Sequence, residues 1–424
     1  MGYNPITQNG YNMFEMASLL QKAVRRNDYD GAGFAAAEMY DRFRGVMWNR
    51  MLTISSEDCW GIVTKELVVL RDADDNALSY DDSMYYVSKA IALMCRAKKS
   101  RDACYFACNF ILAENERKEI TVTPEEAELV QEELSRIPDS VFTLSALNSN
   151  SIYSFVRKSE PEFEQMSLSP KKKRHQELSS DGKDVYEVIA LLHKAIRLCD
   201  MENIGYAVNV LRSYNRMVLW KGLIAFSVKY GSGDLTKEII ALKMTDDMVN
   251  GKKKPESRDE IFISKSIMLL CYEQTGAFGD LCCNEIVDPD EMVDWSLYKF
   301  KNIDRCKLKD EIIPEWVYDV HTIRGKRAGK TDWGMNIVEQ AALDPLQVAF
   351  FDEGSWAPRY DYKHIHKMCS ELEYQLSLEY RMDHKSNPVE RLPETKLDEA
   401  IDFEKNNSFA GQLLAYMEGG FLDE

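Results

Sequence analysis

The chain has 424 residues, with 53 basic against 70 acidic side chains and a formal net charge of −17. This acidic balance excludes a nucleic-acid footprint over the whole surface, so only local basic patches could contact phosphate. Ten cysteines lie scattered with no secretory signal before them, and the apolar stretches are too short to cross a bilayer, which predicts an intracellular protein with reduced thiols and no membrane contact.

Helical periodicity dominates the first part of the chain, residues 11–115. In the first predicted helix, Phe14, Ala17 and Leu20 recur on one face. Residues 123–126 hold a cap residue, a first-turn proline and two acids, and they predict a further helix. Because strand signals are sparse throughout, we predict an all-α, mainly helical fold.

One sequence pattern occurs twice, about 172 residues apart. The run from Phe14 to Arg25 matches the run from Tyr186 to Arg197 without a gap, and the register extends to Trp48 and Trp220. A repeat of this length and order predicts two tandem copies of one helical-bundle module.

A second match is offset by four further residues. Residues 87–95 correspond to residues 263–271, so a short insertion must lie in the second copy ahead of this match. The predicted modules occupy residues 1–137 and 184–285. A flexible linker, rich in serine, proline and lysine, spans residues 138–183. Residues 286–424 form a C-terminal, mostly helical region with a basic loop and an acidic tail.

Two motifs imitate ligand sites without the required spacing. The run from Gly325 to Thr331 ends in Gly-Lys-Thr, but only three residues separate its glycines where a phosphate-binding loop needs four. His364, His366 and Cys369 imitate metal ligands, but no fourth ligand is evident. We therefore expect no cofactor and no metal.

The segment from Asp319 to Lys330 supports more than one interpretation. A carboxylate can orient an imidazole, so Asp319, His321 and Arg324 could belong to a catalytic site. The acidic pair Asp352 and Glu353 is a second candidate. Neither set comes with a nucleophile or metal ligands, so we assign no catalytic residue, and phosphate contact and a solvated turn both remain open.

A basic cluster lies in the predicted linker and consists of Lys171, Lys172, Lys173 and Arg174. Short basic clusters in exposed linkers are read by nuclear import receptors. The cluster therefore predicts a nuclear location if the host is eukaryotic and a cytoplasmic one otherwise, and a solubilising charge run is the alternative interpretation.

The first module resembles the C-terminal helical region of the replication-associated recombination protein A / Werner-helicase-interacting protein family, a clamp-loader-like group of AAA+ proteins. Residues 19–26, 48–58 and 90–100 carry the resemblance. They are similar to the family signatures alkyl-x-K-x-x-R, I-A-S-E-D and A-P-K-S. Lys98 stands where the family usually has the proline of the third signature. In the second module the match is weaker, because Lys229 and Tyr230 stand where the first module has the acidic residues Glu57 and Asp58.

The resemblance implies a collar and oligomerisation unit of a replication-fork or clamp-loading machine. The family's ATPase domain has no counterpart ahead of residue 11, so the resemblance implies interaction and not hydrolysis. We therefore expect a non-enzymatic scaffold in DNA replication, recombination or repair, which forms a homo-oligomer, binds partner proteins such as a separate ATPase, and contacts DNA or RNA through basic loops. A nucleic-acid-processing enzyme is the alternative. The candidate nucleic-acid contacts are Lys22, Arg25, Arg26, Lys98, Lys99, Arg101, Arg324, Lys326, Arg327 and Lys330.

Overall fold

The structure, a computed structural model, describes residues 5–111, 120–147, 177–179, 182–275, 313–330, 339 and 342–344. These residues form helices joined by loops, and they contain isolated bridging residue pairs but no sheet. The all-α prediction is confirmed. None of the helices in these ranges is long and apolar enough to cross a membrane.

The helices fall into two compact units. The first unit contains residues 1–105 and 286–424, and the second unit contains residues 106–285. The helices of the first unit are α1 (Met13–Arg25), α2 (Tyr29–Glu57), α3 (Thr64–Asp75), α4 (Tyr80–Arg96), α5 (Asp102–Phe106, whose last residue opens the second unit) and α13 (Ile323–Arg327), with a short 3-10 turn at Glu315–Val317. Those of the second unit are α6 (Pro124–Ser135), α7 (Leu144–Leu147), α8 (Val185–Leu198), α9 (Met201–Tyr214), α10 (Arg216–Tyr230), α11 (Gly233–Asn250) and α12 (Ile261–Gln274).

In the first unit, α1 lies against α2 and α4, and α3 packs on α4. Asn12 starts α1 because its side chain accepts hydrogen bonds from the backbone N–H groups of Phe14 and Glu15. The buried stripe of α1 includes Met13 and Met16, whereas Phe14 is 47% exposed. Ala17 and Leu20 of the predicted apolar face are buried, and only Phe14, in the first turn, departs from the prediction.

Several features of the second unit match those of the first. Asp184 caps α8 with the same two hydrogen bonds that Asn12 makes at α1. The long helix α2 has non-helical backbone angles at Phe43, and the chain breaks between α9 and α10 at the matching residue, Asn215. Asn27 and Cys199, which also match, are the two described non-glycine residues with a left-handed backbone.

A matched polar contact lies inside each unit. The indole N–H of Trp48 donates to Asp74 (2.6 Å), and that of Trp220 donates to Asp246 (2.8 Å). Each carboxylate also pairs with an arginine at matching positions, Arg44 and Arg216. Both tryptophans are buried, at 1% exposed. These equivalences support the predicted repeat.

Two parts of the chain pack differently from the sequence-based division. We predicted that α6 belongs to the first module, but it packs on α8 and α10 of the second unit. Residues 138–147, predicted as flexible linker, hold a 3-10 turn and α7, and they bury Val141 and Leu147. Their apolar positions are too few to give a periodic signal. The described C-terminal residues pack within the first unit, so they are not a separate region.

The matched indole contacts predict matched stabilities. Trp48→Phe and Trp220→Phe each remove one hydrogen bond to a buried carboxylate, and we expect each to lower the free energy of unfolding by about 1–3 kcal/mol. Urea unfolding followed by circular dichroism measures this, with Leu78→Ala at a 99% exposed position as the control. A large loss for one tryptophan and none for the other would contradict equivalent sites.

Candidate functional site

Charged residues of segments 19–26 and 48–58 meet in the first unit, where α1 and α2 both end. Lys22 and Arg25 occupy the last turn of α1, and Arg26 caps it. This is the favourable end for cations, because the last carbonyl groups of a helix lack partners. Glu57 ends α2 and Asp58 caps it, so these two carboxylates stand at the unfavourable end of a helix and need cations beside them.

Arg25 connects these elements. Its Nε donates to Asp58 Oδ1 (2.7 Å), one terminal nitrogen contacts Glu57 Oε1 (3.3 Å), and the other donates to Glu339 Oε2 (3.0 Å). A guanidinium suits this position because its donors point in fixed, separate directions within one plane. One side chain therefore joins α1, α2 and a residue 314 positions later.

Three cations of the cluster surround the carboxylate of Glu339. Arg26 holds it with two hydrogen bonds, at 3.0 and 3.1 Å, and Lys22 Nζ lies 3.6 Å from it. The guanidinium of Arg26 also lies over the ring of Trp316, 4.3 Å from its centroid. Such bidentate, partly stacked contacts fix the orientation of an arginine side chain.

The segment that contains Trp316 is tied to α1 directly. Lys22 Nζ pairs with Asp319 at 3.0 Å and donates to the backbone carbonyl oxygen of Trp316. Ser18 donates to the carbonyl oxygen of Val317 at 2.7 Å. The side chains of Lys22 and Asp319 are both 4% exposed, so water contributes little to this contact.

Burial and charge act in opposite directions on these groups. Burial alone would raise the pKa of Glu339, but Arg26, Lys22 and Arg25 overcome it and hold the pKa well below its usual range. Burial would lower the pKa of Arg25, and the neighbouring carboxylates instead raise it. Both groups therefore stay ionised inside the protein.

The cluster is balanced in charge. Its cations are Lys22, Arg25, Arg26 and Arg101, and its carboxylates are Glu57, Asp58, Asp319 and Glu339. Arg101 lies 3.7 Å from Glu57 and 3.9 Å from Asp58. Because four positive charges face four negative ones within a buried space, the cluster offers no net charge to a phosphate.

This placement corrects part of the nucleic-acid prediction. Lys22, Arg25, Lys99 and Arg101 are at most 4% exposed. Lys99 donates to the carbonyl oxygens of Cys95 and Ala97 at the end of α4, and burial lowers its pKa. These four cations therefore make contacts inside the protein and are not available to a phosphate at the surface. Arg26 and Lys98 are only half-buried, but Arg26 is engaged by Glu339.

The predicted C-terminal contacts divide in the same way. Arg324 is exposed, but it pairs with Glu315 at 2.6 Å and lies over Tyr318. Lys330 is buried, whereas Lys326 and Arg327 remain exposed on α13. Gly325 is required for packing, because a Cβ there would lie 1.9 Å from the carbonyl oxygen of Asp319. The glycine therefore has a structural reason that does not involve phosphate.

The catalytic alternative gains no geometry. Asp319 Oδ1 accepts a hydrogen bond from the backbone N–H of His321 and Oδ2 pairs with Lys22, so both carboxylate oxygens are engaged by groups other than the imidazole. Within the described ranges no group of His, Cys, Asp or Glu could hold a metal ion. Several sequence candidates lie outside the described residues, namely Asp352, Glu353, His364, His366, Cys369 and the basic cluster 171–174.

The second unit has a simpler version of this site. Lys194 matches Lys22, and it pairs with Glu126 of α6 at 2.7 Å. Arg197 matches Arg25, and it lies 5.3 Å from the ring centroid of Tyr230, which replaces Asp58. A cation over an aromatic ring thus substitutes for a buried ion pair. In both units the lysine binds a carboxylate from outside the repeated helices.

A buried histidine takes the place of a glutamine in the second unit. Gln21 donates to Asp58 in the first unit, whereas His193 bonds to the carbonyl oxygen of Gly222 at 2.9 Å. Burial lowers the pKa of His193 to about 4. The imidazole is therefore neutral at pH 7, and the histidine contributes to packing.

Comparison of the chain with protein-family models, curated proteins and solved structures gave no match.

Replacing the central carboxylate should destabilise the first unit. Glu339→Gln leaves three buried or half-buried cations short of one charge, and we expect a loss of about 3–5 kcal/mol in unfolding free energy at pH 7. Urea unfolding measures this loss. Glu315→Gln, which removes an exposed ion pair, is the matched control and should cost less than about 1 kcal/mol.

The effect of Glu339→Gln should depend on pH with a definite sign. Because the folded pKa of Glu339 lies below the unfolded one, its stabilisation is complete above the usual glutamate range and is lost as the pH falls. The difference between wild type and variant should therefore narrow below about pH 4. A difference that stays constant from pH 7 to pH 3 would contradict an ionised Glu339.

His193 predicts a second pH dependence, in the second unit. The unfolded chain takes up a proton near pH 6.5 and the folded unit only near pH 4, so stability falls as the pH drops through this window. We expect a loss of about 2 kcal/mol between pH 7 and pH 5. His193→Gln, which restores the residue of the first repeat, should flatten the curve, and parallel curves would disprove the assignment.

Proposed function

We propose that the chain is a non-enzymatic helical scaffold that binds partner proteins in DNA replication, recombination or repair. One observation carries the proposal: charged residues of two collar-like segments, 19–26 and 48–58, join Arg101, Asp319 and Glu339 in a single buried, charge-balanced cluster. Residues used in this way hold helices together. This supports an assembly role for the module.

The same observation changes how nucleic acid would be bound. Since Lys22, Arg25, Lys99 and Arg101 are buried, phosphate contact must come from exposed cations outside the cluster. Lys326 and Arg327 are the sequence-predicted candidates that stay exposed. Nucleic-acid contact is therefore an accessory activity in this proposal, and protein partners, including a separate ATPase chain, are the principal ones.

The proposed scaffold is a homodimer that acts inside the cell. One chain carries two collar-like modules, so a homodimer would contain four. We propose an intracellular site of action, which is nuclear in a eukaryotic host. Direct support for the enzymatic alternative is lacking in the described residues, because Asp319 is occupied by Lys22.

Light scattering on the purified full chain tests the assembly. We expect a particle of twice the chain mass of 48.9 kDa at micromolar concentration. The same samples should be scanned for DNA and RNA binding by gel shift. A monomer that binds neither nucleic acid nor a purified replication ATPase would contradict the scaffold proposal.

A paired set of variants separates scaffold from enzyme. His321→Ala and Asp352→Asn remove the two candidate catalytic groups, and we expect both proteins to keep their oligomeric mass and partner binding. Glu339→Gln, which disturbs the cluster, should weaken that binding. If a nuclease or nucleotidase activity disappears with either of the first two changes, the enzymatic alternative is correct.

A further inference from the structure

The two units differ most clearly in the loop between their third and fourth matching helices. In the first unit, Asp74 and Val87 are 13 residues apart, and their counterparts Asp246 and Ile263 are 17 apart. The four extra residues therefore fall in the interval that contains the loop between α11 and α12. This loop reads Gly-Lys-Lys-Lys-Pro-Glu-Ser-Arg-Asp from Gly251, and the first unit has Asn-Ala-Leu-Ser in its place.

Buried polar contacts hold the two ends of the loop together. Asn250 is 1% exposed, and its amide donates to Asp246 (2.8 Å) and to the carbonyl oxygen of Asp259 (2.9 Å). Its own side-chain oxygen accepts the backbone N–H of Asp259 at 3.1 Å. Asn250 therefore closes the loop across nine residues and fixes where its tip begins and ends.

Arg216 also binds residues at both ends of the loop. It pairs with Asp246 at 2.6 Å and with Glu260 at 2.7 Å, and it donates to the carbonyl oxygen of Asp259 at 3.0 Å. Arg212 adds a second contact to Glu260 at 2.9 Å. The acidic residues at the base are thus engaged by cations of the base and do not neutralise the tip.

The tip exposes three consecutive lysines. Lys252, Lys253 and Lys254 are all exposed, and within the described residues no ion pair is formed by their ammonium groups. Arg258 is oriented toward them, because its Nε donates to the carbonyl oxygen of Lys253. In a chain of net charge −17, this is an anchored and exposed basic loop.

The composition of the loop selects among polyanionic partners. Residues 251–259 contain no aromatic or large apolar side chain that could enter a lipid interface or fill a pocket on a protein. Lysine ammonium groups act as point charges, and they suit phosphates that are contacted without regard to sequence. The favoured partner is therefore the phosphate backbone of a nucleic acid.

We infer that the anchored loop Lys252–Lys254 is the site at which this chain contacts nucleic-acid phosphates. The inference deepens the function proposed above and rests on its accessory nucleic-acid contact. It assigns that contact to the second unit, to residues that the first repeat lacks.

The test is binding of a fluorescent 30-base-pair duplex, and of single strands of the same length, to the full chain at 50 and 200 mM salt. Lys252→Gln, Lys253→Gln and Lys254→Gln together should weaken duplex binding about tenfold or more at 50 mM. They should also reduce the slope of log affinity against log salt by about 2.7 for three lost contacts.

A charge-matched variant controls for the net charge of the chain. Arg136→Gln, Lys183→Gln and Lys237→Gln remove three scattered cations from the same unit, and they should change affinity less than about threefold. Circular dichroism and thermal unfolding of both variants confirm that they fold. Equal losses in the two variants would overturn the inference, because any three charges would then suffice.

Three further outcomes overturn it and leave other conclusions standing. If a triple glutamine variant of Arg324, Lys326 and Arg327 loses the binding instead, the contact lies on α13. If anionic vesicles bind through the lysines and nucleic acid does not, the partner is a membrane surface. If the wild type binds no nucleic acid but still forms a dimer and binds its partner, the inference fails while the scaffold proposal survives.

Discussion

Arg25 is the side chain on which the first unit depends. A buried guanidinium without carboxylate partners is strongly destabilising, so the ends of α1 and α2 and the residue Glu339 must be present together for the unit to be stable. Replacing only one member leaves its partners charged and buried. The cluster thus couples segments that the chain keeps far apart, and it makes the C-terminal part of the sequence a requirement of the first unit.

In the second unit, the positions that match the Arg25 cluster make different contacts. This unit keeps the indole and arginine contacts to Asp246, which fix two helices, but it places Tyr230 where the first unit has Asp58. Lys194 still reaches a carboxylate, supplied by α6 and not by the C-terminal region. The repeated helices therefore keep one docking arrangement, while the segment that docks there has changed.

The helical fold could be predicted because the sequence signals of a helix lie within the helix or next to it. Apolar spacing, caps such as Thr123 and the repeated tryptophans lie within short windows of sequence. The site could not be predicted in the same way. A run such as Lys22 to Arg26 suggests a solvated basic face, and only the distant Glu339 and Asp319 reveal that it is buried. The assignment of α6 to the second unit depends likewise on Lys194, which lies 68 residues from Glu126.

The order of the units along the chain has a consequence for synthesis. Residues 106–285 are interposed between the two parts of the first unit, so the ribosome delivers a complete second unit before Glu339 exists. At about 5–20 residues per second, the 314 residues from Arg25 to Glu339 take roughly 15–60 s to translate. During that interval Lys22, Arg25 and Arg26 lack their carboxylate. The unfinished first unit therefore presents incompletely paired lysine and arginine side chains at the end of α1, which a chaperone or a nascent partner could recognise.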